Sequence, residues 1–81
     1  MPGETTILAP LPGTFYRRPN PDADVFVSEG DTVAPGDVVG LVEVMKTFLE
    51  VKADVGGVVD RFLVDSGDAI EAGQALVALR T

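Results

Sequence analysis

The 81-residue chain contains no cysteine, no histidine and no tryptophan. Without cysteine there is no disulfide framework. Without cysteine and histidine there is neither a Cys/His zinc site nor a Ser/His or Cys/His nucleophile pair. Basic residues are also scarce, 6 against 13 acidic ones, which leaves a net charge of −7. Arg17, Arg18, Lys46, Lys52, Arg61 and Arg80 never cluster beyond a pair, so phosphate backbones and anionic lipid surfaces are poor partners. No apolar run approaches the roughly 20 residues of a spanning helix. The start, Met1-Pro2-Gly3-Glu4, has neither the charged nor the apolar region of a secretory leader. A cytoplasmic protein that binds neither nucleic acid nor membrane is expected.

What the chain does have is 46% hydrophobic residues with 9 Gly and 6 Pro. Aromatic bulk is limited to Phe15, Tyr16, Phe26, Phe48 and Phe62, so the core must be mostly Val and Leu. Such β-branched, turn-rich composition favours strands. The length suits one domain, residues 1–81, with a small core in which each buried apolar side chain counts.

An internal repeat sets the architecture. The segment from Val27 (VSEGDTVAPGDVVGLV) overlays the segment from Val64 (VDSGDAIEAGQALVAL) without gaps, an offset of 37 positions. Val27/Val64, Gly30/Gly67, Asp31/Asp68 and Gly36/Gly73 are identities, and Val33/Ile70, Val39/Leu76 and Val42/Leu79 stay apolar. Each copy reads as a turn, a short apolar step, a second turn and a Val/Leu-rich strand, and two quasi-equivalent sheets packed on each other follow. Upstream, Ala9 matches Ala53 and Gly13 matches Gly57, but at an offset of 44. The first copy therefore carries seven extra residues between Gly13 and Val27. Two X-Pro steps, Arg18-Pro19 and Asn20-Pro21, exclude a helix there and predict a projecting loop.

From Val38 to Ala53 the chain runs without Pro, and its one Gly, Gly40, lies near one end. That is too long for one ordinary strand. Folded back on itself, the stretch has its midpoint between Met45 and Lys46, pairing Val44 with Thr47, Glu43 with Phe48, Val42 with Leu49 and Leu41 with Glu50. An amphipathic helix competes, because Leu41, Met45, Phe48 and Lys52 follow helical spacing. Against it stand five valines, Gly40, which would cost roughly 1 kcal/mol inside a helix, and the short strand that the repeat assigns to the matching Leu76–Leu79. A hairpin with Met-Lys at its tip departs from the Asn-Gly or Asp-Gly preference of two-residue turns. Local rules are most often broken where function requires it.

Lys46 has no apolar pocket or cationic neighbour in sequence to activate its amine as a nucleophile, so direct amine catalysis is not expected. Its amine can instead be acylated and carry a prosthetic group on a flexible stem. The remaining acids are scattered, no Gly-rich loop opens a helix, and Ser28 and Ser66 sit in predicted turns, so an independent enzyme is the weakest reading.

The residues around that lysine resemble a known family. Glu43-Val44-Met45-Lys46-Thr47 is similar to the biotin attachment motif, usually Glu-Ala-Met-Lys-Met. The twofold β repeat is similar to the biotinyl/lipoyl hammerhead fold, an all-β flattened barrel or sandwich of two four-stranded antiparallel sheets. The stretch Ala9 to Ala23 is similar to the opening of the biotinyl domain in biotin carboxyl carrier proteins of bacterial acetyl-CoA carboxylase, where the insertion is called a thumb and lies over the biotin. The seven extra residues fall on it. Val44 and Thr47 depart from the motif and make the tip less apolar on one side. The family's Ala/Pro-rich linker and oligomerising segment are also missing, as in a minimal carrier or a domain of a longer chain.

The resemblance implies a non-catalytic carrier. Lys46 would be biotinylated by a biotin protein ligase, with Met45 and Thr47 setting acceptor geometry and Glu43 contacting the ligase or a partner. The biotin would be carboxylated at a biotin carboxylase and would deliver the group to a carboxyltransferase, with acetyl-CoA the implied acceptor in fatty acid synthesis. Tyr16, Pro19, Asn20, Pro21 and Asp22 of the thumb would contact the ureido ring. Arg17 and Arg18 read as a solvated pair without a role. The alternatives are a lipoyl carrier of a 2-oxoacid dehydrogenase or glycine cleavage system, and an unmodified interaction domain of the same fold. Met before the lysine favours biotin, because lipoyl domains typically place Asp there.

Overall fold

The sequence repeat becomes a symmetry of the fold in the computed structural model, which describes residues 3–81. Eight strands follow one another: β1 (Glu4–Leu8), β2 (Gly13–Tyr16), β3 (Thr32–Val33), β4 (Val38–Val44), β5 (Thr47–Lys52), β6 (Gly57–Phe62), β7 (Ala69–Ile70) and β8 (Ala75–Arg80). They form two four-stranded sheets ordered β1-β8-β6-β3 and β5-β4-β2-β7, with every pairing antiparallel. Replacing each strand of the first sheet by its repeat partner generates the second sheet in the same order. The copies are interlocked, each giving two strands to each sheet. This differs from the simplest outcome of a repeat, in which each copy would close its own sheet. A single four-stranded sheet cannot bury its apolar face alone, and exchange lets both copies share one core.

Four equivalent turns hold this arrangement. In Ser28–Asp31, Ala34–Asp37, Asp65–Asp68 and Glu71–Gln74 the last residue's N–H donates to the first residue's carbonyl, at 3.0 to 3.1 Å. The third residue is a glycine with φ between 82° and 94°, as a type II turn requires. The last side chain then accepts the first residue's N–H at 2.8 to 2.9 Å. Each glycine of the outer turns donates across to the other copy, Gly30 to Val59 and Gly67 to Phe15.

Between the sheets lie Ile7, Phe15, Val33, Val39, Val42, Val51, Val59, Ile70, Leu76, Val77 and Leu79, all buried. Phe15 is the largest and has no exposed surface. Each such side chain contributes about 1.5–3 kcal/mol by leaving water. Gly40 in β4 leaves the space its side chain would need to the Phe15 ring. The molecule measures 39 × 26 × 19 Å, a flattened body with the β4–β5 hairpin apex and the ends of β1 and β8 at equivalent positions of the pseudo-twofold. No helix occurs among the described residues, and none is long and apolar enough to cross a membrane.

Candidate functional site

The hairpin forms in the register that its midpoint predicts: Val44 pairs Thr47, Glu43 pairs Phe48, Val42 pairs Leu49 and Leu41 pairs Glu50. The helical alternative fails because its supposed apolar stripe has no common face. Leu41 is buried, whereas Met45 is 93% and Phe48 53% exposed. Met45 and Lys46 form the two-residue turn with φ of 50° and 65°. Both lie in the left-handed region, as a type I′ hairpin turn demands, yet neither is Gly, Asn or Asp. Lys46 is exposed at the apex, and no ion pair among the described residues involves it. Thr47 is exposed beside it.

The predicted insertion is a loop, residues 17–26, leaving β2. Its base is closed by Phe26 N–H donating to the Arg17 carbonyl at 2.9 Å. Inside the loop, Ala23 N–H donates to the Asn20 carbonyl at 3.1 Å, and Asp22 N–H donates to Asn20 Oδ1 at 3.0 Å. Arg18 Nη1 donates to the Ala23 carbonyl at 3.3 Å. Arg17 N–H donates to Ser66 Oγ at 2.9 Å, and the Arg17 guanidinium stacks 3.9 Å above the Phe62 ring. The two arginines are therefore not a solvated pair. Both are half-buried, one pinning the loop root to β6 and the β6–β7 connection, the other bracing the loop internally. A cation over an aromatic face is favourable, and Arg17 makes this contact from the position immediately after β2.

Between this loop and the hairpin lies a cleft of about 530 Å³, lined by Tyr16, Arg18, Pro19, Asn20, Pro21, Glu43, Phe48, Ser66 and Gly67. It brings together Tyr16, Pro19, Asn20, Pro21 and Glu43 from the sequence-derived set. Met45, Lys46 and Thr47 stand at the apex outside its lining, and Asp22 is exposed on the loop without lining it. Tyr16 OH donates to Glu43 Oε1 at 3.2 Å. That bond to a carboxylate, together with burial and the carboxylate's charge, pushes the Tyr16 phenol above its ordinary pKa. Phe48 and Ser66 were missed by sequence reasoning. Register arithmetic already set Phe48 opposite Glu43, which was the available signal. Nothing in sequence brought Ser66, 49 positions from Arg17, to the loop. No group of three acidic side chains suited to a metal ion occurs among the described residues.

A strained lysine apex beside an apolar-and-polar cleft, on a twofold β sandwich, matches the biotin/lipoyl family, whose sequence profile is described as "Biotin-requiring enzyme" and covers residues 5–79. The chain belongs to this family. Similar members include the biotin carboxyl carrier protein of acetyl-CoA carboxylase from Porphyra purpurea, 40% identical over 76 residues, 94% of this chain and 48% of that protein. The protein of the same description from Chlamydia trachomatis serovar D is 46% identical over 70 residues, 86% of this chain and 43% of its own length. The chain thus spans about half the length of the curated biotin/lipoyl relatives it matches. Among solved structures, urea carboxylase from Kluyveromyces lactis superposes with a TM-score of 0.79 at 28% identity, over 95% of this chain and 6% of that one.

Proposed function

We propose that residues 1–81 form one biotin-attachment domain and that Lys46 carries biotin through an amide on its side-chain nitrogen. The observation that carries this reading is the Lys46 amine at the apex of a strained two-residue turn, exposed and preceded by an exposed Met45. Acylation there removes one positive charge from an already acidic chain and leaves the core undisturbed. The cleft's composition fits such a group. Phe48, Tyr16, Pro19 and Pro21 offer apolar surface to a bicyclic ring, while Asn20 and Glu43 offer polar atoms to a ureido edge.

Bound biotin supplies a ureido nitrogen able to accept and give up a carboxyl group. The chain itself catalyses neither half of such a transfer. Its contribution is tethering, which raises a dilute cofactor to about the millimolar range at each partner site. The partners we propose are a biotin protein ligase, a biotin carboxylase and a carboxyltransferase, with acetyl-CoA as the acceptor. The named carrier relatives support this assignment, and the location we propose with it is the cytoplasm. Intact-mass measurement with fragment mapping of protein from its native host tests it. Biotin on Lys46 is the expected result. Lipoate there, or an unmodified lysine in the presence of excess ligase and biotin, overturns it.

A further inference from the structure

The pseudo-twofold supplies an internal control, because the fold builds the same four positions at both ends. At the end away from the hairpin apex they are Glu4, Asp60, Arg61 and Arg80. Arg61 Nη1 bridges Glu4 at 2.9 Å and Asp60 at 2.7 Å, and Arg80 Nη2 reaches Asp60 at 2.5 Å. Glu4 and Arg80 are a cross-strand pair. At the hairpin end the same positions hold Phe48, Tyr16, Arg17 and Glu43, and Phe48 and Glu43 are the corresponding cross-strand pair. Here the ionic lattice is gone. Tyr16 donates to Glu43, its ring lies 6.4 Å from that of Phe48, and Arg17 has turned away to Phe62.

The strand geometry therefore does not require an aromatic at position 48, since a non-aromatic side chain, Glu4 opposite Arg80, occupies the equivalent place. Phe48 also sits on an edge strand, where a half-exposed aromatic raises the risk of unwanted pairing. Its ring nevertheless lines the cleft, opposite Pro19, Asn20 and Pro21, and it is held there by Tyr16 on one side and by the β4 pairing on the other. Lys46, in the turn, precedes Phe48 by two residues, a separation of at most about 7 Å between Cα atoms, so an acyl arm on its amine folds back readily over that distance.

We infer that Phe48 is a positioning residue for the cofactor: its ring, braced by Tyr16, is the sheet-side apolar wall against which the ring system carried on Lys46 rests. This rests on the proposed attachment of biotin. The wall belongs to the hairpin arm and not to the inserted loop, so it acts even though the loop contributes the opposite side.

The test uses the biotinylated chain and reads proton NMR exchange of the ureido N–H groups with water, alongside intact mass. The unsubstituted chain should exchange more slowly than free biotinyl-lysine. Phe48→Ala should exchange at least about fourfold faster than the unsubstituted chain, the factor expected from losing roughly one methylene's worth or more of apolar contact. Phe48→Tyr should retain the slow exchange. Phe48→Gln, a polar side chain that sets no second carboxylate opposite Glu43, should behave like the alanine variant and guards against a folding defect in either one. Glu4→Ala at the far end should leave exchange unchanged. Biotin on Lys46 with equal exchange in Phe48→Ala and the unsubstituted chain overturns the role of Phe48 alone, whereas absence of biotin on Lys46 overturns the attachment reading itself.

Discussion

Replacing the apex by the residues that its backbone prefers should stabilise the protein while abolishing its modification. Met45 and Lys46 hold φ at 50° and 65°, and each non-glycine residue in that region costs roughly 1 kcal/mol. Asn-Gly is the favoured type I′ pair, so M45N/K46G relieves about 2 kcal/mol of strain. Glycine's greater freedom in the unfolded chain takes back about 0.5–1 kcal/mol. Met45 loses little contact because it is 93% exposed. A net gain of about 1 kcal/mol remains, which for a domain of this size raises Tm by about 4–8 °C. Thermal unfolding of the unmodified double variant, followed by circular dichroism, measures it. M45N alone should give a smaller gain while keeping the lysine. A Tm equal to or below that of the parent chain would show that the turn stores no strain, and with it would go the argument that the apex is kept for function at the expense of stability.

Three further outcomes follow from the same contacts. Tyr16 is the chain's one tyrosine, so tyrosinate absorbance reads it alone; its midpoint should lie above 10.0, and Glu43→Gln should move it back down. Because the folded value is raised, the contribution of this bond is intact below the ordinary tyrosine pKa and fades as pH climbs through the folded value. At the far end, the Arg80 hydrogen bond, aided by Arg61, holds the Asp60 carboxyl below its ordinary 3.8. Its contribution is therefore present above that value and lost as pH falls through the folded pKa. An NMR titration should place its midpoint below 3.8, and Arg80→Ala should raise it. Gly40→Ala would set a Cβ 2.5 Å from Phe15 Cε1 and 3.0 Å from the Tyr16 carbonyl. Urea unfolding should show a loss of about 1–3 kcal/mol, and an unchanged midpoint would mean that Phe15 is free to move.

The hairpin was legible because Val38 to Ala53 has one plausible fold-back point, and a two-residue turn then fixes every cross-strand partner. The loop was legible because two repeat offsets, 44 and 37, cannot both hold without an insertion between Gly13 and Val27. The exchange of strands between copies was not legible. It depends on contacts such as Gly30 with Val59 and Gly67 with Phe15, which join distant residues and leave no periodic trace in either segment. Arg17 was misjudged for a related reason. Adjacent arginines in a Pro-containing loop usually stay hydrated, and only the folded arrangement sets the end of β2 beside the Phe62 ring, 45 positions away in sequence. The missed Phe48 illustrates the opposite error, since its partner Glu43 was already in hand and its helical spacing with Met45 drew attention to a pattern that the strand does not use.

A duplicated fold has two ends that are built alike and need not serve alike. Here the far end is tied by charges that link β1 to β6 and β6 to β8, and exposed ion pairs of this kind contribute little stability individually. The hairpin end gives up that lattice and accepts a strained turn and a half-exposed aromatic in its place. The shared core, spanning both copies, allows this, because the buried side chains are the same kind at both ends and neither set of surface residues decides whether the sheets close. The departures from symmetry therefore cluster where the fold tolerates them and chemistry needs them: the loop after β2, the apex of β4–β5, and the three side chains Tyr16, Glu43 and Phe48 that join the two.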